Sequence, residues 1–260
     1  MFDQITFDNL LSTRHMGRIL VALDEVDSTN KWIADSLHKQ AVERIVAVAR
    51  KQKAGRGRFG RAWRHIPGKS LAFSLAWPIP DSFKPIGVIT LSAGVALAEA
   101  VMEVAEARPD LKYPNDLLFK GLKAGGILCE LKKAGERRFA VIGVGVNVNL
   151  TSAELPDEIK EIATSIREQC GRETSMEAIL AIFLNRLESH LEEIVKSGPV
   201  VVVELYKKLT CTLGKNISVV GAGDDVTGVA VDVDYAGELI VDVGSGDFVK
   251  VHSGETVYKR

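Results

Sequence analysis

Residues 51–63 read KQKAGRGRFGRAW: three glycines, three arginines and two aromatic residues within a single loop. Glycines at 55, 57 and 60 remove the Cβ atoms that would hold a ligand away from the backbone. The guanidinium groups of Arg56, Arg58 and Arg61 cannot lose their charge at physiological pH, so the stretch predicts an anion site. What precedes it decides the kind of protein. RIVAVAR (44–50) reads as a β-strand, so the loop hangs from a folded sheet and not from an unstructured basic arm. Single-stranded nucleic-acid binders with interleaved Gly, Arg and aromatic residues repeat the pattern outside folded domains, whereas here it occurs once. Two other readings are an exposed basic turn and a nucleotide-phosphate loop in which Trp63 offers a flat face to a base. No Gly-Lys-Ser/Thr follows, so it is not a P-loop, and GxGxxG spacing alone is a weak signal.

The chain has 260 residues, 46% hydrophobic and 26% charged, the balance of a globular protein with room for a large core and a smaller second domain. A formal net charge of -1 excludes a polycation that binds DNA through its overall charge, so no DNA partner is expected. Cys129, Cys170 and Cys211 are odd in number and widely separated, which fits a reducing compartment and predicts a cytoplasmic location. The histidines are equally scattered, so no protein-held metal site is expected, although magnesium carried by a phosphate ligand is compatible. The N-terminal stretch MFDQITFDNLLSTRHMGR has early acids and no sustained apolar run, unlike a signal peptide. IGVITLSAGVALAEAVMEVAEA (86–107) contains Thr90, Ser92, Glu99 and Glu103 and reads as a buried helix of a soluble protein, with no membrane partner.

On either side of the loop the pattern alternates between helix and strand. STNKWIADSL (28–37) reads as a helix entered through a polar cap. SLAFSLAW (70–77) sets Leu71, Phe73, Leu75 and Trp77 against Ala72, Ser74 and Ala76, predicting a half-buried strand with one bulky face. Pro85 is expected to start a long helix ending near Ala107. LKYPNDLLF (111–119), AGGILCELKK (124–133) and RFAVIGVGVNVNL (138–150) predict one strand each. In the last, Gly143, Gly145, Asn147 and Asn149 share a nearly bare face. Such a face suits either a ligand lying flat on the sheet or an element packed closely against the glycines. Residues 175–196 place Ile179, Ile182, Phe183, Leu187, Leu191 and Ile194 at helical spacing, and a shorter helix follows Gly198-Pro199. Beyond Thr210, short alternating strands separated by Gly/Asp turns describe a small β-barrel.

The string Gly55 to Arg61 with Trp63 resembles the signature loop of the biotin protein ligases. Four other stretches match that family in the same order. Ser28-Thr29-Asn30 after DEVD resembles its STN motif, Lys112-Tyr113-Pro114-Asn115-Asp116 its KWPND, Lys123 with AGGILCE its K-AGIL-E, and VIGVGVNVN its GiGiNvN. The likeness runs from about residue 15 to the C-terminus. Tyr113 stands where the family has tryptophan, which leaves the local packing open. The stretch before Ser28 is too short for the winged helix of regulatory members, so the resemblance is to the monofunctional ligases. It implies an α+β fold: a mixed β-sheet catalytic domain of the biotin/lipoate ligase type over residues 1–211, with helices on one side of the sheet, and an SH3-like β-barrel over residues 212–260. It implies activation of biotin by ATP as biotinyl-5'-AMP and transfer to a lysine of a biotin carboxyl carrier protein or domain. ATP and Mg2+ would enter as a substrate complex, with no permanently bound cofactor, and a homodimer is expected.

Carboxylate activation by ATP brings two anions together, which calls for cations and not for an enzyme nucleophile. By resemblance, Lys123, Arg58 and Arg56 are the expected catalytic residues. Ser28, Thr29, Asn30, Gln52, Gly55, Arg56, Gly57, Arg58, Lys123, Gly125 and Gly126 are expected to bind biotin. Arg58, Arg61, Trp63, Asn115, Asp116, Lys123 and Asn147 are expected to hold ATP or the adenylate. Each has a plainer reading: Lys123 as a solvated turn lysine, Ser28 as an N-cap, Trp63 as a core anchor, Asn115 and Asp116 as a β-turn after Pro114. The nearest rival function is a lipoate or octanoate ligase or transferase of the same fold, and from another class a nucleic-acid-binding module.

Overall fold

The computed structural model describes residues 2–39, 41–83, 86–221, 225–252 and 254–259. Helix α1 (Gln4–Leu10) leads to β1 (Ile19–Leu23), α2 (Thr29–Asp35), β2 (Ile45–Ala49), the two-residue strands β3 (Gly55–Arg56) and β4 (Ala62–Trp63), β5 (Ser70–Ile79) and α3 (Ile86–Ala105). There follow β6 (Asp110–Lys112), β7 (Asp116–Phe119), β8 (Leu122–Ala134), β9 (Arg137–Asn147), α4 (Ile166–Cys170), α5 (Met176–Ser197) and α6 (Val200–Leu209). The chain ends in β10 (Asn216–Val220), β11 (Val226–Val233), β12 (Leu239–Gly244), β13 (Asp247–Val251) and β14 (Glu255–Tyr258).

Seven strands form one mixed sheet in the order β1-β2-β5-β9-β8-β7-β6, parallel only between β1 and β2. The last five form an antiparallel sheet, β13-β12-β11-β10-β14, consistent with the SH3-like expectation. One face of the large sheet packs on α3, α5 and α6 through Phe73, Leu75, Ile142 and Val144. The apolar helix α3 lies inside this core, its alanines and Gly94 allowing close approach to the sheet. Helix α2 lies on the opposite face, where Ile33 meets Ala47, Ala76 and Val141, so helices cover both sides and not one.

Two local expectations change. β5 is not half-buried: Ala72, Ser74 and Ala76 are as buried as the bulky residues, because their small side chains admit α2 and the site residues it carries. LKYPNDLLF is not one strand but the hairpin β6–β7, reversed at a cis Tyr113-Pro114 turn with Lys112 paired to Asp116. Pro85 lies outside the described residues; α3 is described from Ile86 and ends where Glu106 turns left-handed at φ 55. Ser175 caps α5, accepting the Ala178 N–H at 3.1 Å.

The C-terminal sheet docks on the large one through close backbone contact. A Cβ at Gly87 would lie 2.8 Å from the Ala236 carbonyl oxygen, and one at Gly237 would lie 2.8 Å from the Gly87 backbone. Only glycine at both places lets the β11–β12 turn rest on the start of α3.

Candidate active site

Register across three strands builds the floor. Ser74, Gly143 and Leu128 form one row on β5, β9 and β8, and Ala72, Gly145 and Gly126 form the next. The nearly bare face is covered by the site's own side chains. A Cβ at 143 would fall 1.9 Å from Asn30 Oδ1, and one at 145 would fall 2.5 Å from the Trp63 ring. Beside these two side chains opens a cleft of ≈ 280 Å³, just below the range of about 300–1,000 Å³ common for small-molecule sites.

The cleft gathers residues from every motif. Ser28, Thr29 and Asn30 come from the start of α2, Gln52 and the Gly/Arg loop from the β2–β5 connection, Asn115 and Asp116 from the β6–β7 turn, Lys123 and Gly126 from β8, and Asn147 from the end of β9. Arg56, Gly57, Arg58, Arg61 and Trp63 also line it. Gly55 and Gly125 do not: Gly55 is wedged against Trp63 and Gln52, and Gly125 against Gly145 and Leu117. Their contribution is packing beneath the wall. Six cationic side chains line the cleft against two carboxylates, Asp116 and Glu255, so an anionic ligand meets a net positive field.

Lys123 is not a solvated turn lysine. Its N–H donates to Ile162 O at 2.8 Å and its carbonyl accepts from Thr164 N at 2.9 Å, fixing the backbone, and its Nζ donates to Asp116 Oδ1 at 2.5 Å. Arg58 donates from Nη1 to Gly254 O at 3.0 Å and more weakly to Asn115 Oδ1 at 3.4 Å. Burial pulls the Arg58 pKa down, opposed by Tyr113, Asp116 and Glu255. Arg61 forms a two-pronged ion pair with Glu255, whereas Arg56 has no ion pair among the described residues. Asn115 also ties the turn to β8, donating to Ile127 O at 2.8 Å and accepting from Ile127 N at 3.0 Å. Asn147 donates to Thr164 O at 3.1 Å, and the Trp63 Nε1 donor is buried without a partner. Among the described residues no cluster of three His, Cys, Asp or Glu could hold a metal.

Sequence reading missed the walls that come from afar. Ile159, Ile162 and Ala163 arrive from the loop after β9, and Glu255 and Thr256 from β14. Their only signals are long-range pairings that no local pattern carries. It also left Tyr113 open. The ring is buried, and its hydroxyl lies 3.1 Å from both Gly237 O and Val251 O, so the phenol ties the β6–β7 turn to the C-terminal sheet. Burial pushes its pKa up to about 12. Tyr113→Phe should therefore cost about 1 kcal/mol of stability, read as a lower denaturation midpoint; an unchanged midpoint would show that the hydroxyl contributes nothing to docking.

With this geometry in place, comparison with known proteins is specific. The sequence profile of the biotin/lipoate A/B protein ligase family matches residues 23–147, and that of the biotin protein ligase C-terminal domain matches residues 212–257. The chain is 32% identical over 247 residues to the biotin acetyl-CoA-carboxylase ligase of Mycobacterium tuberculosis, across 92% of this chain and 89% of that protein. It is 30% identical over 246 residues to the bifunctional ligase/repressor BirA of Bacillus subtilis, across 94% of this chain and 75% of the relative. The solved structure of biotin protein ligase from Aquifex aeolicus in complex with biotin and ATP superposes with a TM-score of 0.81 at 29% identity, over 94% of this chain and 99% of that one.

Proposed function

The chain belongs to the biotin/lipoate A/B protein ligase family as a biotin ligase, and from that premise we propose that it makes biotinyl-5'-AMP from biotin and ATP and passes the biotinyl group to a lysine of a biotin carboxyl carrier protein or domain. The observation that carries the reading is that one cleft, on a shared floor of small residues, holds a linked cluster of neutral side chains, Thr29, Asn30 and Gln52, as its neutral end, and a charged cluster in which Lys123 bonds Asp116 and Arg58 bonds Asn115.

Thr29 and Gln52 at the neutral end suit a ureido ring; a dithiolane or a plain alkyl chain would leave their facing oxygens without a donor. Arg56, Arg58 and Lys123 would neutralise the carboxylate and the α-phosphate as the two approach. In the first step a biotin carboxylate oxygen bonds to the α-phosphorus and pyrophosphate departs. The cations stabilise the charge that gathers on the phosphoryl oxygens, and Asp116 holds Lys123 in position. Arg61, Asn147 and the Trp63 ring would receive the nucleotide. Mg2+ would arrive on the ATP phosphates. In the second step the carrier amine attacks the acyl carbonyl and AMP leaves, so the site chiefly has to align the amine and exclude water.

The same reading divides the chain at 211/212 and pairs two copies as a homodimer in the cytoplasm. The test is ATP/pyrophosphate exchange with purified protein, run with biotin, lipoate, octanoate or no acid. Exchange is expected with biotin alone. Exchange with lipoate would reassign the substrate, and exchange with none of the acids would sink the adenylation step.

A further inference from the structure

Beneath the neutral end of the cleft lies a chain of buried hydrogen bonds whose proton positions are fixed by counting. The Asn30 amide nitrogen faces two acceptors, Glu130 Oε2 at 3.1 Å and Leu128 O at 3.2 Å, so Asn30 Oδ1 must point the other way. There it meets Ser74 Oγ at 2.6 Å. Asn30 Oδ1 has no hydrogen, so the single Ser74 proton occupies that contact. Ser74 Oγ also lies 2.7 Å from Thr29 Oγ1, a distance that requires a proton, and only the Thr29 hydroxyl is left to supply it. None then remains for the 3.2 Å contact between Thr29 Oγ1 and Gln52 Oε1. The Gln52 amide cannot turn over to relieve this, because its oxygen already accepts the Thr29 N–H at 2.9 Å. Two lone-pair oxygens therefore sit side by side in the wall of the cleft.

We propose that Glu130, Asn30 and Ser74 are positioning residues that hold the Thr29 hydroxyl as an acceptor, so that Thr29 Oγ1 and Gln52 Oε1 together select a ligand ring carrying an N–H. The inference rests on the biotin reading and deepens it, since biotin has two ureido N–H groups. Ser74 is 0% exposed and cannot touch the ligand; Glu130 stands outside the cleft lining. Burial raises the Glu130 carboxyl pKa, but hydrogen bonds from Asn30 and Lys132 more than offset it, which keeps this end of the chain an acceptor. Gly143 is part of the device, because any Cβ there would displace Asn30.

The test is calorimetric binding of biotin and its two mono-N-methyl ureido isomers. Wild type should prefer biotin over at least one isomer. In Ser74→Ala the Thr29 proton is free to turn to Gln52 Oε1. Biotin binding should then weaken by about tenfold, the preference for N–H over N–methyl should shrink by a similar factor, and ATP affinity should hold. Glu130→Ala should move in the same direction, and Glu130→Gln, whose amide oxygen still accepts from Asn30, should restore the preference. Glu130 is partly exposed, so its variants test the chain even if Ser74→Ala folds poorly. Equal loss for all three ligands, an unchanged preference in folded variants, or a wild type indifferent to N-methylation would overturn the relay and leave the biotin reading standing. Wild-type protein that binds no biotin would overturn both.

Discussion

Lys123→Ala should reduce biotin-dependent ATP/pyrophosphate exchange by roughly a thousandfold, about 4 kcal/mol of transition-state stabilisation, with little change in thermal stability. The size follows from two effects of the same sign. The lysine is aimed from a backbone held on both sides, by Ile162 and Thr164, so its charge is placed before substrate arrives and costs little reorganisation. Its removal also uncovers Asp116, whose side chain is only 21% exposed and would then face the incoming phosphates as a bare carboxylate. Stability should hold because the Lys123 side chain is 37% exposed and fills no core. Asp116→Asn separates the two effects: it keeps the lysine charge, loosens its aim, and should lose far less activity. Exchange by folded Lys123→Ala within tenfold of wild type would remove Lys123 from the chemistry.

Arg58→Ala should lower kcat/KM for adenylation by about a hundredfold or more, and Arg58→Lys should recover only a small part. The guanidinium reaches the Gly254 carbonyl of the C-terminal sheet and the Asn115 side chain of the β6–β7 turn while lining the cleft. A lysine replaces the charge but cannot span these partners and still present a second N–H to an oxyanion. The loss should appear in kcat as well as in KM for ATP, because loss of an interaction made equally in the ground and transition states would affect KM alone. Steady-state kinetics over a range of ATP concentrations makes the distinction; a pure KM effect, or full rescue by lysine, would reduce Arg58 to a binding contact.

Much of the site was legible because its chemistry is written in short contiguous strings. The Gly/Arg loop, the STN cap and the alternation of Gly143 and Gly145 each meet a local requirement: anion contact, a helix start, a face without side chains. The errors share a physical source. In β5 the small residues Ala72, Ser74 and Ala76 look like a solvent face to a period-two reading, yet they are small because α2 sits on them. At Tyr113 the turn signal of Pro114 was present, but the strand pattern on both sides outweighed it. Ile162 and Glu255 could not be found locally, since they meet Lys123 and Arg61 only after the whole sheet and the C-terminal strands are in place. Ser74 and Glu130 were hidden for a different reason: a buried hydroxyl and a half-covered carboxylate acquire meaning only from each other's proton positions.

The wall that Glu255 and Thr256 supply also bears on how the protein is born. The floor can close once Asn147 has emerged to pair with Ser70, but the far side of the cleft is made of residues translated about a hundred positions later. At bacterial or eukaryotic elongation rates of about 5–20 residues per second, the chain spends roughly 5–20 s with a finished floor and no finished wall. A nascent chain in that interval lacks a complete nucleotide end, and activity should wait until β14 has emerged and folded.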